Sequence, residues 1–222
     1  MPPQLTLPII YLITNGKTTA KTTPNSHEFS NLLRLVEYAV AAKVSVIQIR
    51  EKSLTARVLY ELTSRAVAIT RNSATRLLVN DRFDVALGAG ADGVHLTSRS
   101  MAADVVRSIC GPEFLIGVST HSLSEARIAC GDCADFVVFG PVFETESKRT
   151  YGEPQGLLRL QEVCSSLSGF PVIGIGGIQI DNVADCLRAG AEGVAAISML
   201  SDTERLPLLV ETIRTIWLTK EN

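Results

Sequence analysis

The chain has 222 residues, of which 46% are hydrophobic and 20% charged, and its formal net charge is -2 at pH 7. That length suits one domain, 1–222, which can bury roughly 70% of its unfolded surface and needs neither disulfide nor metal to supply a core. The composition excludes a disordered chain, and the charge balance excludes a general attraction to nucleic acid or an anionic membrane, so neither is an expected partner.

No basic run precedes the short apolar stretch at the amino terminus, and no segment reaches ~20 uninterrupted apolar residues. A cytoplasmic protein is the resulting expectation. The five cysteines, Cys110, Cys130, Cys133, Cys164 and Cys186, are odd in number and scattered, which argues against a disulfide framework. Cys130 and Cys133 have CxxC spacing but no second CxxC follows, so buried structural thiols are expected.

In chain order, Pro8 to Thr14 reads as a buried strand, followed by a polar, turn-rich segment from Asn15 to Pro24. Ser26 to Ala42 has helical spacing, with Phe29, Leu32, Leu33, Val36, Ala39 and Val40 on one face. Strand-like Val44 to Arg50 leads to a helix over Leu54 to Thr70, then strand Leu77 to Asn80 and a short helix from about Arg82. The later strands are expected at Gly93–Leu96, Phe114–Val118, Phe136–Phe139, Val172–Ile175 and Val194–Ile197. Helices between and after them fit Ala102–Ile109, Leu123–Ala129, Leu157–Leu167, Ile180–Ala189 and Glu204–Leu218. Short β-branched runs alternating with amphipathic helices indicate parallel βα units.

An internal echo supports a count of eight such units. Ala89-Gly90-Ala91-Asp92-Gly93-Val94 closely matches Ala189-Gly190-Ala191-Glu192-Gly193-Val194, and the two segments introduce strands four and eight. The first strand is followed by Thr14-Asn15-Gly16-Lys17, not by the glycine-rich turn of a doubly wound open sheet. The predicted fold is therefore α/β, a single (β/α)8 barrel of the TIM type.

In such a barrel, residues at the carboxyl ends of the strands converge on one mouth. Gln48, Arg50 and Lys52 end strand two, where the cations suit phosphate or carboxylate. Asn80 and Asp81 end strand three, with Asp81 a candidate Mg²⁺ ligand or a helix-capping group. His95, among apolar neighbours, reads as a core or supporting hydrogen-bond residue. His121, after strand five, is the candidate general acid or base. Ser122 and Glu125 form a possible capping box beside it.

The polar loop near 140–156 carries Thr145, Ser147 and Lys148, a candidate anion site, and is expected to be mobile between Gly140 and Gly152. Gly176 and Gly177 follow strand seven, and Ile197 and Ser198 end strand eight. Their backbone N–H groups suit the phosphate grip that barrels build from loops seven and eight.

These motifs jointly resemble the thiamine phosphate synthase and thiazole tautomerase family over nearly the whole chain. The resemblance rests on Gln48-Ile49-Arg50-Glu51-Lys52, Asn80-Asp81, Gly93-Val94-His95-Leu96, Gly140 through Lys148, and Gly174-Ile175-Gly176-Gly177-Ile178. It implies that Gln48, Arg50, Lys52, Asn80, Thr145, Ser147 and Lys148 contact a pyrimidine diphosphate, and that Gly177, Ile197 and Ser198 hold thiazole phosphate. It also implies Asp81 as a Mg²⁺ ligand for the synthase reaction. A typical synthase has His-x-Gly-Gln-x-Asp after strand four, where this chain has His95-Leu96-Thr97-Ser98-Arg99-Ser100.

The missing second carboxylate is similar to the tautomerase branch, in which His121 resembles the catalytic histidine. The reading slightly favoured by sequence is thus a metal-independent tautomerase that aromatises a carboxythiazole phosphate, with His121 moving the proton, Arg50 or Lys148 engaging the carboxylate, and backbone groups near Gly176, Gly177 and Ser198 holding the phosphate. The alternative is thiamine phosphate synthase, joining hydroxymethylpyrimidine diphosphate to thiazole phosphate with Mg²⁺. A barrel that binds phosphate ligands without turnover is a minor third.

Overall fold

A computed structural model describes residues 5–145 and 153–219. The elements run β1 (Ile9–Ile13), α1 (His27–Ala41), β2 (Val46–Ile49), α2 (Ala56–Thr70), β3 (Arg76–Asn80), α3 (Phe83–Ala89), β4 (Gly93–Leu96) and α4 (Ala103–Cys110). They continue as β5 (Leu115–Thr120), α5 (Leu123–Gly131), β6 (Phe136–Phe139), α6 (Gly156–Ser166), β7 (Val172–Ile175), α7 (Val183–Arg188), β8 (Gly193–Ala196) and α8 (Leu206–Thr219). Consecutive strands pair in parallel, and β8 pairs with β1, from Ile9↔Gly193 to Leu12↔Ala196. The sheet closes on itself as a (β/α)8 barrel.

The unbroken apolar runs of the strands follow from burial on both faces. Ile9, Tyr11 and Ile13 point into the barrel with Val46, Leu78, Leu115, Phe136 and Ile173, while Ile10 and Leu12 join the layer between sheet and helices. On α1 the buried face is Phe29, Leu32, Leu35, Val36 and Ala39, and Leu33 and Val40 flank it. Each large apolar side chain buried in this way contributes about 1.5–3 kcal/mol.

The echoed segments have a shared mechanical cause. A Cβ on Gly93 would sit 2.0 Å from the carbonyl oxygen of Leu115, and one on Gly193 would sit 2.0 Å from that of Ile9. Leu115 N–H donates to the Asp92 carbonyl at 2.9 Å, and Ile9 N–H donates to the Glu192 carbonyl at 2.8 Å. Glycine at these two positions lets the next strand approach closely enough for the ladder to form.

Two expectations need correction. Helix α7 begins at Val183 rather than near Ile180, because the Asn182 side chain accepts from Gln179 N–H at 2.9 Å and donates to the Gly177 carbonyl at 2.9 Å, closing a turn there. All five cysteines are free, but Cys133 is exposed, in a turn with φ of 65°, and only Cys186 is fully buried. Cys110 and Cys164 behave as thiols whose ionisation burial opposes, Cys164 being pushed up to about 12. Among the described residues no helix is long and apolar enough to cross a membrane.

Candidate active site

The β2 end is anchored to the β1 end before it presents any charge. Thr14 N–H donates to the Gln48 carbonyl at 3.0 Å, and Arg50 N–H donates to Thr14 Oγ1 at 2.8 Å. Glu51 is buried, and its carboxylate accepts from Gly16 N–H, Thr18 N–H and Thr18 Oγ1 at 3.1, 3.2 and 2.7 Å. These bonds fix the β1–α1 loop against β2 and satisfy a buried charge. Gln48, also buried, donates through Nε2 to Asn80 Oδ1 at 3.2 Å, joining the ends of β2 and β3.

Arg50 is half-buried and Lys52 exposed in the adjoining loop. Partial burial, then the positive charges of Arg50 and Arg99, hold the Lys52 ammonium below the usual lysine range, and Asp81 acts in the opposite sense. Lys52 is therefore within electrostatic reach of two cations and one carboxylate, contributed by β2, β3 and β4. The ion pairs Arg82–Asp84 at 2.6 Å and Arg107–Asp135 at 2.7 Å engage other arginines, and those among the described residues leave Arg50, Lys52 and Arg99 out.

Asp81 is exposed, has φ of 64°, and ties its N–H to the His95 carbonyl at 2.9 Å. Ser100, at the position where a typical synthase has its second acid, is committed to the β4–α4 turn: its hydroxyl accepts from Thr97 N–H at 2.8 Å and lies 3.1 Å from Thr97 Oγ1. Among the described residues no three His, Cys, Asp or Glu side chains converge. Among the described residues Asp81 is the one carboxylate that acts on Lys52, and with Ser100 tied into its turn these residues do not by themselves supply the several anionic oxygens a divalent ion seeks.

The barrel interior carries a polar chain. Tyr11 Oη lies 3.1 Å from His95 Nδ1, and His95 Nε2 lies 2.8 Å from Ser119 Oγ, with Phe136 packed against both rings. Burial, reinforced by Arg50, pushes the His95 imidazole down to about 3, so it is neutral at pH 7. Its core hydrogen-bonding place agrees with the sequence reading. Ser119, half-buried, ends this chain towards the mouth. Sequence reasoning missed it, although Leu115, Gly117 and Ser119 alternate on one side of β5.

His121 is exposed and lies outside that chain. Its Nδ1 hydrogen-bonds the Gly140 carbonyl, its N–H donates to Glu125 Oε2 at 2.7 Å, and it lines a cavity of about 160 Å³ with Leu123, Gln155 and Arg159. Ser122 caps α5 as expected, accepting from Glu125 N–H at 3.2 Å, but Glu125 reaches back to His121 rather than to the cap residue. The larger of these two cavities, about 380 Å³, lies between the β1–α1 loop, α1 and Ser201, and is lined by Asn15, Lys17 and Thr18 on the loop side.

Across the mouth, Gly176 and Gly177 have φ of 97° and 64°. A Cβ on Gly176 would be 2.5 Å from Pro141, and one on Gly177 would be 2.5 Å from the Glu144 carbonyl oxygen. Val142 N–H donates to the Ile175 carbonyl at 2.8 Å and Phe143 N–H to that of Gly176 at 3.0 Å, so loops six and seven interlock. Among the described residues the N–H groups of Gly177 and Ser198 donate to no backbone oxygen. Ile197 is half-buried and Ser198 exposed beside them at the end of β8. Thr145 is half-buried in loop six, whereas Ser147 and Lys148 lie outside the described residues.

The family described as thiamine monophosphate synthase matches this chain over residues 10–200. The chain belongs to that family. A thiamine-phosphate synthase of Moorella thermoacetica is 43% identical over 166 residues, covering 75% of this chain and 79% of that protein. One from Roseiflexus castenholzii is 39% identical over 190 residues, covering 86% of this chain and 79% of its own. The solved thiamine phosphate pyrophosphorylase of Pyrococcus furiosus superposes with a TM-score of 0.78 at 31% identity, covering 97% of this chain and 98% of that one. Membership in the thiamine monophosphate synthase family makes this chain an enzyme of thiamine-phosphate biosynthesis.

Proposed function

We propose that the enzyme is a thiamine phosphate synthase, coupling hydroxymethylpyrimidine diphosphate to thiazole phosphate. The observation that supports this reading is the placement of cations on one side of the mouth and of N–H groups that donate to no backbone oxygen on the other. Arg50, Lys52 and Arg99 cluster at the ends of β2 and β4, with Asn80 between them, whereas Gly177 and Ser198 offer N–H groups at β7 and β8. In an eight-stranded barrel β3 lies opposite β7, so the two ends face each other across the mouth. Two phosphorylated partners suit such a mouth, and the relatives from Moorella, Roseiflexus and Pyrococcus carry synthase or pyrophosphorylase names.

In the coupling step the thiazole nitrogen forms a bond to the exocyclic pyrimidine carbon, and the bond from that carbon to diphosphate oxygen breaks with its electron pair leaving on diphosphate. Arg50 and Lys52 stabilise the charge that develops on the departing oxygen, in the manner of preorganised cations. Gln48 and Asn80, already joined, orient the pyrimidine partner, and the Gly177 and Ser198 N–H groups hold the thiazole phosphate. Thr145 in loop six supplies a further hydroxyl at the same mouth.

A second reading, the thiazole tautomerase favoured slightly by sequence, is supported by the departures at Ser98 and Ser100. Incubation with both phosphorylated substrates, beside a separate incubation with the carboxythiazole phosphate, distinguishes the two. The synthase reading expects thiamine phosphate and equimolar diphosphate. Aromatisation of the carboxythiazole with no coupling would replace it by the tautomerase.

A further inference from the structure

We propose that Arg99 binds the diphosphate end of the pyrimidine substrate together with Arg50 and Lys52, supplying positive charge where other members of the family use a metal. This inference rests on the synthase reading for the identity of the substrate, but the anion site itself stands on the residues below.

Three strands contribute to it. Arg50 follows β2, its backbone held by Thr14, and its guanidinium lies along Gly16, where a Cβ would come within 3.6 Å of Nη1. Lys52 stands two residues on. Arg99 is exposed at the tip of the β4–α4 turn, which is closed by Ser100 N–H to the Thr97 carbonyl at 2.9 Å and Thr97 N–H to Ser100 Oγ at 2.8 Å. Ser100 thus serves as the clasp of the turn that presents Arg99. Its hydroxyl is occupied within the turn, so it offers no free anionic oxygen to a cation.

The charge balance decides what the site accepts. Arg50, Lys52 and Arg99 stand at the ends of strands β2 and β4 with the exposed carboxylate of Asp81, at the end of β3, between them, while the buried Glu51 carboxylate is committed to Gly16 and Thr18. A divalent cation entering here meets repulsion. A diphosphate brings several anionic oxygens on adjoining phosphoryl groups, and two guanidinium forks with one ammonium match them in charge and in donor geometry. Burial first, and then repulsion from Arg50 and Arg99, depress Lys52, and an arriving anion relieves the repulsive part. Diphosphate departure then develops its charge against fixed cations, and no electron or proton beyond those of the coupling step is needed.

The test is calorimetric titration of the full chain with inorganic diphosphate in EDTA, for the unmodified enzyme, Arg99→Gln and Arg82→Gln. Arg82 sits in the neighbouring β3–α3 loop but is paired with Asp84, so its replacement controls for a general loss of charge. The expected result is diphosphate binding in EDTA, weakened about tenfold or more by Arg99→Gln and little changed by Arg82→Gln. Binding that appears only when Mg²⁺ is added, or that Arg99→Gln leaves unchanged, overturns the proposal. Failure here with intact coupling would leave the synthase reading standing, and metal-free diphosphate binding without coupling would do the reverse.

Discussion

His95 shows how a buried residue inside the barrel ties stability to pH. With its imidazole held neutral and its folded pKa at about 3, an unfolded chain takes up a proton near pH 6.5 that the native chain refuses. The stability this contributes is complete above pH 6.5 and is lost as pH falls from there towards 3, at about 1.4 kcal/mol per pH unit. Urea denaturation at pH 7 and pH 5 is expected to cost the unmodified enzyme about 2 kcal/mol more than His95→Gln, in which the titrating group is gone. Equal pH dependence in the two proteins would mean that His95 protonates freely in the fold. The same residue shows what sequence alone could reach. Its apolar neighbours revealed a core histidine, but its partner Ser119 stayed hidden because strand five was expected to stop at Val118. The strand runs two residues further to Thr120, and only that extension keeps Ser119 in the inward alternation. Burial of Glu51 was equally illegible, since its three donors come from a loop more than 30 residues away.

At the level of elements, the strands were read most accurately. Gly93–Leu96, Phe136–Phe139 and Val172–Ile175 have the expected bounds, because short β-branched or aromatic runs framed by polar and glycine residues have few alternatives. The start of α7 was not legible: Ile180 continues an apolar pattern, but the Asn182 side chain closes a turn before the helix begins. Glycines at 176 and 177 were read as a phosphate cradle, and the structure adds a second demand, close packing against loop six. Gly177→Ala is therefore expected to lose about 1–2 kcal/mol from the left-handed φ alone, lowering the melting temperature by about 2–8 °C, and to weaken thiazole phosphate binding about tenfold. Gly90→Ala provides the comparison, since the backbone there is left-handed, with φ of 74° and ψ of 29°, but nothing lies within 4 Å of the added Cβ. It should share the stability loss and keep the ligand affinity. Equal affinity losses in both variants would detach loop seven from phosphate binding.

Across the whole molecule, closure of the barrel brings together residues that are far apart in sequence and sets the two proposed anion-binding ends against each other. The cations after β2 and β4 and the N–H groups after β7 and β8 owe their separation to strand order, not to local sequence. The residues of both ends and the altered turn after strand four were legible in the sequence. It could not show that Ser100 is consumed in closing that turn, which depends on the fold of Thr97 to Ser100. Sequence also made His121 the leading acid–base group, and the fold adds that its Nδ1 bonds the Gly140 carbonyl beside the α5–α6 cavity. The most direct measurement of a two-ended mouth is calorimetric titration of thiazole phosphate into enzyme first saturated with inorganic diphosphate. The two ligands are expected to bind together, with thiazole phosphate affinity preserved or increased by diphosphate. Displacement of one by the other would contradict the account, because it would mean a single anion site in place of two.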